Sequence, residues 1–256
     1  MGLVLDRLGS WLGRTLSRPV HVHGSARPTP PDVLLACLRP GDVLLAEGHS
    51  RISSAIKYLT QSTWSHAALF VGDALAGRAP EGHCFIEADI VEGVRSVGVA
   101  EFDGLLTRIC RPSGLTDADC RRLVAFAVER IGLQYDLRNV VDLARYLFPT
   151  PPVPQRFRRR MIALGSGDPT RAICSTLIAQ AFQSVRYPIL PVVSRQSAGD
   201  PQCPGCMTEI LHVRHHSLFT PRDFDVSPYF EIVKPGLAGG FDYRSLDWGE
   251  TRDLTE

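Results

Sequence analysis

With 256 residues, 44% hydrophobic and 21% charged, the chain has the composition of an ordinary globular enzyme and the length to bury a sizeable core. Lys+Arg number 28 against 27 Asp+Glu, so a net charge of +1 excludes any bulk-charge argument for nucleic-acid binding. The seven cysteines are odd in number and scattered, which argues against a disulfide scaffold and fits a reducing, cytoplasmic compartment.

Leu3, Leu5, Leu8, Trp11, Leu12 and Leu16 recur at helical spacing, so residues 3–16 read as an amphipathic helix that docks on the domain or lies against a membrane surface. Asp6, Arg7 and Arg14 interrupt the apolar core that a signal peptide needs, and Asp6 stands where a myristoylation motif has Ser or Thr. No run of about 20 apolar residues follows. Residues 18–32, rich in Pro, Gly and Ser, read as a linker, so that 1–37 form an appendage and 38–235 the main domain.

The domain opens with a turn at Pro40-Gly41 and a short buried strand, Asp42 to Ala46. A short helix carrying Ile52, Ala55, Ile56 and Leu59 leads to the strand in TQSTWSHAALFVGD, where Trp64, His66, Ala68 and Phe70 alternate with Ser65, Ala67, Leu69 and Val71. In HCFIEADI, His83, Phe85, Glu87 and Asp89 share one face and Cys84, Ile86 and Ala88 the other; VRSVGVAEF and LLTRICRP follow as strands. Thr116 with Asp119 marks a capped helix whose stripe is Leu123, Phe126, Ala127 and Ile131 and whose stop is Gly132. A second amphipathic helix, LRNVVDLARYLF, precedes a proline-stiffened stretch ending in the basic cluster Arg156, Arg158, Arg159 and Arg160. Beyond residue 190 the chain reads as loop-rich, above all over 195–222, with a strand in SPYFEIV and a polar tail over 236–256. Strands followed by helices predict an α+β fold with helices on one side of an antiparallel sheet.

Between these, RAICSTLIAQAF places Cys174 in the first turn of a buried helix, where free N–H groups and the helix dipole favour thiolate. Alone, such a cysteine reads equally as a small buried hydrophobe. A nucleophile needs an imidazole and a polar group to orient it, and His66 and Glu87 lie on consecutive strands whose antiparallel pairing would set them side by side. Asp89 is the alternative orienting group, while Asp42 and Asp136 read as turn and cap residues.

The series GDVLLAEG, TQSTWSHAALFVG, CFIEAD, IGLQYD and ICSTLIAQAF resembles the permuted papain-like hydrolases of the YiiX/YebB type, relatives of the NlpC cell-wall peptidases and lecithin:retinol acyltransferase, over roughly residues 38–190. His66 precedes the cysteine, as the permuted branch requires. The resemblance implies an antiparallel sheet or partial barrel packed against the helix of the nucleophilic cysteine. It also implies a Cys174-His66-Glu87 triad acting through an acyl-enzyme without a cofactor. Gly132 and Tyr135 match the family's Gly-x-x-Tyr, which implies an oxyanion- or substrate-binding role for Tyr135. The substrate would be a peptide, an amide or an acyl-lipid, with transfer to an amine or alcohol as the alternative to hydrolysis; an inactive lipid- or peptide-binding protein on the same fold is the competing reading.

One feature stands apart. Cys203 and Cys206 have the spacing of a zinc knuckle, which His212, His215 or His216 would complete as a structural site; a zinc-organised module over residues 200–216 that recruits a partner is a competing reading, and a disulfide or two free thiols explain the pair as well.

Overall fold

The computed structural model describes residues 28–89, 92–134, 173–197, 207–238 and 242–245. Its centre is strand β1 (Val43–Ala46), whose four side chains are all fully buried. A short, wholly apolar run of this kind fits a strand covered on both faces. Around it lie β2 (His66–Phe70), β3 (His83–Asp89), β4 (Gly93–Gly98), β5 (Thr107–Pro112) and β8 (Phe230–Val233). The six strands form one sheet in the order β4-β3-β2-β1-β5-β8, with every pair antiparallel.

One face of the sheet, with Val43, Leu45, Ala67, Leu69, Ile86 and Ala88, packs on two helices, α3 (Asp117–Val128) and α4 (Ile173–Ser184). Leu123, Val124 and Ala127 supply the buried stripe of α3, and Leu177, Ile178, Ala181 and Phe182 that of α4. Phe182 anchors an aromatic group, its ring centroid 5.4 Å from that of Tyr187, 6.3 Å from Phe224 and 5.2 Å from Phe230. The Thr116 side chain caps α3 by accepting the Asp119 N–H, as the sequence predicts, but the stripe includes Val124, and Ile131 lies exposed past the helix end. Gly132, at φ 89°, closes the turns that follow.

Helices on one side only is corrected by the opposite face. There Leu44, Ala46, Ala68, Phe70, Phe85 and Ile109 are covered by Leu34 of α1 (Pro31–Cys37) and by Phe102 of a 3-10 turn (Val99–Phe102). The linker therefore ends before residue 31, where Pro31 starts a helix whose apolar side completes the core. The expected strand VRSVGVAEF stops at Gly98 for the same reason: its second half bends into the 3-10 turn that brings Phe102 inward.

α2 (Arg51–Thr60) joins β1 to β2 and is capped by the Ser50 side chain. The stretch expected to be loop-rich contains a hairpin of β6 (Val192–Ser197) and β7 (Met207–His212), then α5 (Pro221–Asp225) before β8. Arg195 and Glu209 sit opposite one another on this hairpin at 3.0 Å. α6 (Pro235–Ala238) and a 3-10 turn (Tyr243–Ser245) follow β8 in what reads as tail. The predicted helices over 3–16 and LRNVVDLARYLF, the arginine cluster at 156–160 and Asp136 lie outside the described residues. No described helix is long and apolar enough to cross a membrane.

Candidate active site

The register of β2 explains how a cysteine on one face of a sheet can reach a histidine on the other. β2 stays paired with β1 as far as His66, opposite Ala46. Its pairing with β3 covers only Leu69 opposite Ile86 and Phe70 opposite Phe85, so the two strands separate beyond Leu69. N–H groups alternate sides along a strand: that of Phe70 goes to Asp42 on the β1 side and that of Val71 to Cys84 on the β3 side. By the same alternation Ala67 points its N–H into the gap between β2 and β3. On that side the Ala67 N–H favours the charged form of the Cys174 sulfur.

Cys174 is the second residue of α4, and its own N–H is one of the four at the helix start that lack an intrahelical acceptor. The side chain is buried, 3.9 Å from Ser175 Oγ, and close enough to the imidazole of His66 for each to favour the other's charged form. Burial pushes the thiol up, but His66, the Ala67 N–H and Ser175 together outweigh it and hold Cys174 below the usual thiol range. The complement holds for His66: burial opposes its protonation, and its bonds to Cys174 and Glu87 raise it well above the ordinary histidine range. Both directions favour a thiolate–imidazolium pair.

Nε2 of His66 lies 2.7 Å from Glu87 Oε2, which leaves Nδ1 for the sulfur. Phe102 stacks along the ring at 6.5 Å with a 27° interplanar angle. The His66 side chain keeps 29% exposure, an open side on an otherwise enclosed group. Glu87 is 2% exposed, and its other oxygen, Oε1, accepts from Arg95 Nε at 2.9 Å and Nη2 at 2.7 Å. Burial alone would raise this carboxyl; His66 and Arg95 lower it, so it is a carboxylate.

The sequence-based trio of Cys174, His66 and Glu87 is thus brought together from α4, β2 and β3. Trp64 does not join His66 on its face. It precedes β2 and turns to the α3/α4 side, where its indole N–H donates to Asp225 at 3.0 Å and Arg108 lies 4.9 Å over its ring. Asp89 accepts the Glu92 N–H at 2.8 Å and so caps the β3–β4 connection. Asp42 is a buried structural anion, with Arg111 on both its oxygens at 3.0 and 2.7 Å and the Arg39 N–H at 2.9 Å.

Tyr135 lies outside the described residues, although the chain leading to it is fixed. Gly132 N–H donates to Val94 O at 2.8 Å, Val94 N–H to Leu133 O at 2.9 Å, and Gln134 Nε2 to Glu92 O at 3.2 Å, so residues 132–134 run along the edge of β4.

Cys203 and Cys206 also fall outside the described residues. His212 bonds Ser194 Oγ at 2.7 Å through Nε2, His215 bonds Ser217 Oγ at 2.8 Å through Nδ1, and no group of three or more potential metal ligands occurs among the described residues.

Arg95, Phe102 and the Ala67 N–H are the parts that sequence reasoning missed. Arg95 was findable in principle. A buried glutamate needs a cation, and β4 places Arg95 directly opposite Glu87, but only once the register across the turn is known.

Residues 37–148 match the profile of a family described as permuted papain-like amidase enzymes, YaeF/YiiX, C92 family. The match includes His66 and Glu87 and stops short of Cys174. The probable lipoprotein peptidase YaeF of Escherichia coli (strain K12) is 25% identical over 170 residues, 59% of this chain. The chain covers only 58% of that relative's length. Among solved structures, the metalloprotein yiiX from Escherichia coli O157:H7 aligns with a TM-score of 0.43 at 14% identity, over 77% of this chain and 96% of its own.

Proposed function

We propose that this chain, a member of the YiiX-like permuted papain-like family, is a thiol-dependent hydrolase of amide or other acyl bonds that works through Cys174, His66 and Glu87. The observation that carries the reading is the meeting of Cys174 with an imidazole whose far nitrogen is held by a buried carboxylate, in an arrangement that shifts thiol and imidazole toward their charged forms.

The reading implies the following steps. The Cys174 thiolate attacks the acyl carbon, and the carbonyl π electrons move to oxygen. That oxyanion forms beside the N–H groups of Cys174 and Ala67, the second of which is freed as the sulfur loses its charge. Collapse expels the leaving amine or alkoxide with the proton of His66 Nδ1 and leaves a thioester. Neutral His66 then takes a proton from water entering by its open side; hydroxide attacks the thioester, and the thiolate leaves as the acid product departs. Glu87 accepts the hydrogen bond of the Nε2–H throughout, without taking the proton, and so fixes the ring's tautomer and tilt. With an amine or alcohol in place of water, the same steps give acyl transfer.

The test is a panel of acylated amines, peptides, lipidated peptides and phospholipids. It is run against the full chain and its Cys174→Ala and His66→Ala variants, with a thiol-reactive probe competing. The YaeF relative, a probable lipoprotein peptidase, puts lipidated peptides on the panel. Turnover is expected to vanish in Cys174→Ala and to fall at least 100-fold in His66→Ala, the scale on which general acid–base groups contribute. Turnover retained in both variants refutes the assignment. A probe-reactive thiol with no turnover on any class favours the binding protein.

A further inference from the structure

Resting on that reading of the triad, we propose that Arg95 is a positioning residue: its guanidinium pins one oxygen of Glu87 so that the other is presented to His66, and through that carboxylate it governs the charge state of Cys174.

The two oxygens of Glu87 have separate partners. Oε1 takes both Nε and Nη2 of Arg95, and Oε2 takes, among the described residues, the imidazole alone. The last torsion of a glutamate is soft, so a carboxylate held only by His66 would turn. A planar guanidinium with two donors on one oxygen removes that freedom, which a single ammonium does less well.

The arginine is itself fixed. Nη1 lies 3.1 Å from Glu92 Oε2 and Nη2 2.8 Å from Glu101 Oε1. Glu101 precedes Phe102 in the 3-10 turn, so one short segment supports the imidazole twice, by the Phe102 ring and by the path Glu101–Arg95–Glu87. The charged groups facing this chain are His66 from β2, Glu87 and Asp89 from β3, Glu92 and Arg95 beside and on β4, Glu101 from the turn and Cys174 from α4.

Direct charge and the Glu87 path act in the same sense on the thiol, since losing a nearby cation also disfavours a thiolate beside an imidazolium. The two are separated by Glu87→Gln: a through-space effect of Arg95 survives that substitution, whereas a positioning effect exerted through the carboxylate does not.

The experiment needs no substrate. The pH dependence of iodoacetamide alkylation at Cys174, read on its peptide by mass spectrometry, is compared among the full chain and the Arg95→Met, Arg95→Lys, Glu87→Gln and double Arg95→Met/Glu87→Gln variants. Arg95→Met is expected to move the onset of reactivity up by about one pH unit, roughly a tenfold loss of rate at fixed acidic pH. Arg95→Lys should recover part of that shift, and the double variant should coincide with Glu87→Gln because Arg95 acts through it.

An Arg95→Met profile that overlays the parent's overturns the proposal and leaves Arg95 a stabilising ion pair. Should Arg95→Met fail to fold, the double variant decides, since it leaves no buried carboxylate unpaired: a shift beyond that of Glu87→Gln overturns the proposal. An onset near the roughly 8.5 of a free thiol in the parent itself would instead sink the triad reading, so the two failures are distinct.

Discussion

Replacing Glu87 by Gln tests whether the buried carboxylate holds the fold as well as the imidazole. Glutamine keeps the volume but loses the charge to which His66 (2.7 Å) and Arg95 (2.9 and 2.7 Å) are bonded. Hydrogen bonds to a charged group contribute about 1.5–3 kcal/mol each. The amide oxygen can still accept from one partner, and Arg95 keeps Glu92 and Glu101. A net loss of about 3 kcal/mol at neutral pH follows, or roughly 6–12 °C in Tm for a domain of this size.

The pH dependence has a definite sign. Because the folded-state pKa of Glu87 is lowered, its contribution is complete above the ordinary carboxylate range near 4.3 and is lost as pH falls through the folded value. Urea unfolding of both proteins at pH 7, 6, 5, 4 and 3 should therefore show midpoints equally far apart from pH 7 to 5 and converging only below the ordinary carboxylate range, with equal slopes. A gap that stays constant down to pH 3, or no gap at neutrality, would mean that Glu87 is not a paired carboxylate in the folded protein.

Asp42→Ala leaves Arg111, with only 18% side-chain exposure, without the carboxylate that takes both its prongs; a loss of about 3 kcal/mol is expected in urea unfolding. Gly93→Ala places a methyl group 2.4 Å from Leu133 O at a φ of +77°, so the edge contact between β4 and residues 132–134 must open. A loss of about 1–3 kcal/mol is expected. Hydrogen exchange should quicken at the amides of Val94 and Gly132, the two that close this contact. Unchanged protection at both amides would show that the segment is not held there.

The strands at 43–46, 66–70, 83–89, 107–112 and 230–233 were legible because each centres on a short apolar run set between turns or polar residues. α3 was legible from its Thr116 cap. α1 was not, because only Leu34 of its seven residues is fully buried and the Pro-rich approach reads as linker. The β6–β7 hairpin was hidden for the opposite reason. Val192, Val193, Met207 and Leu211 are exposed, so no buried face imprints a period of two on the sequence.

At the site, His66 and Glu87 could be assigned to matching faces from alternation alone, whereas the face on which α4 packs could not. The sequence permits the cysteine helix to cover the His66 face; instead it lies on the Ala67, Leu69, Ile86 and Ala88 side. This follows from what each face can bury. The four residues on the α4 side are all apolar, while the His66 row carries an ionisable pair that needs Arg95 and an opening to solvent. A helix as apolar as α4 belongs on the first face, and its leading end can then meet the imidazole only where the sheet is interrupted. The separation of β2 from β3 beyond Leu69 is that interruption. It also leaves the Ala67 N–H without a strand partner and so supplies the sulfur with a donor. Had the ladder continued to Ala88, both the passage and the donor would be lost, so the site depends on where one pair of strands stops pairing as much as on which side chains they carry.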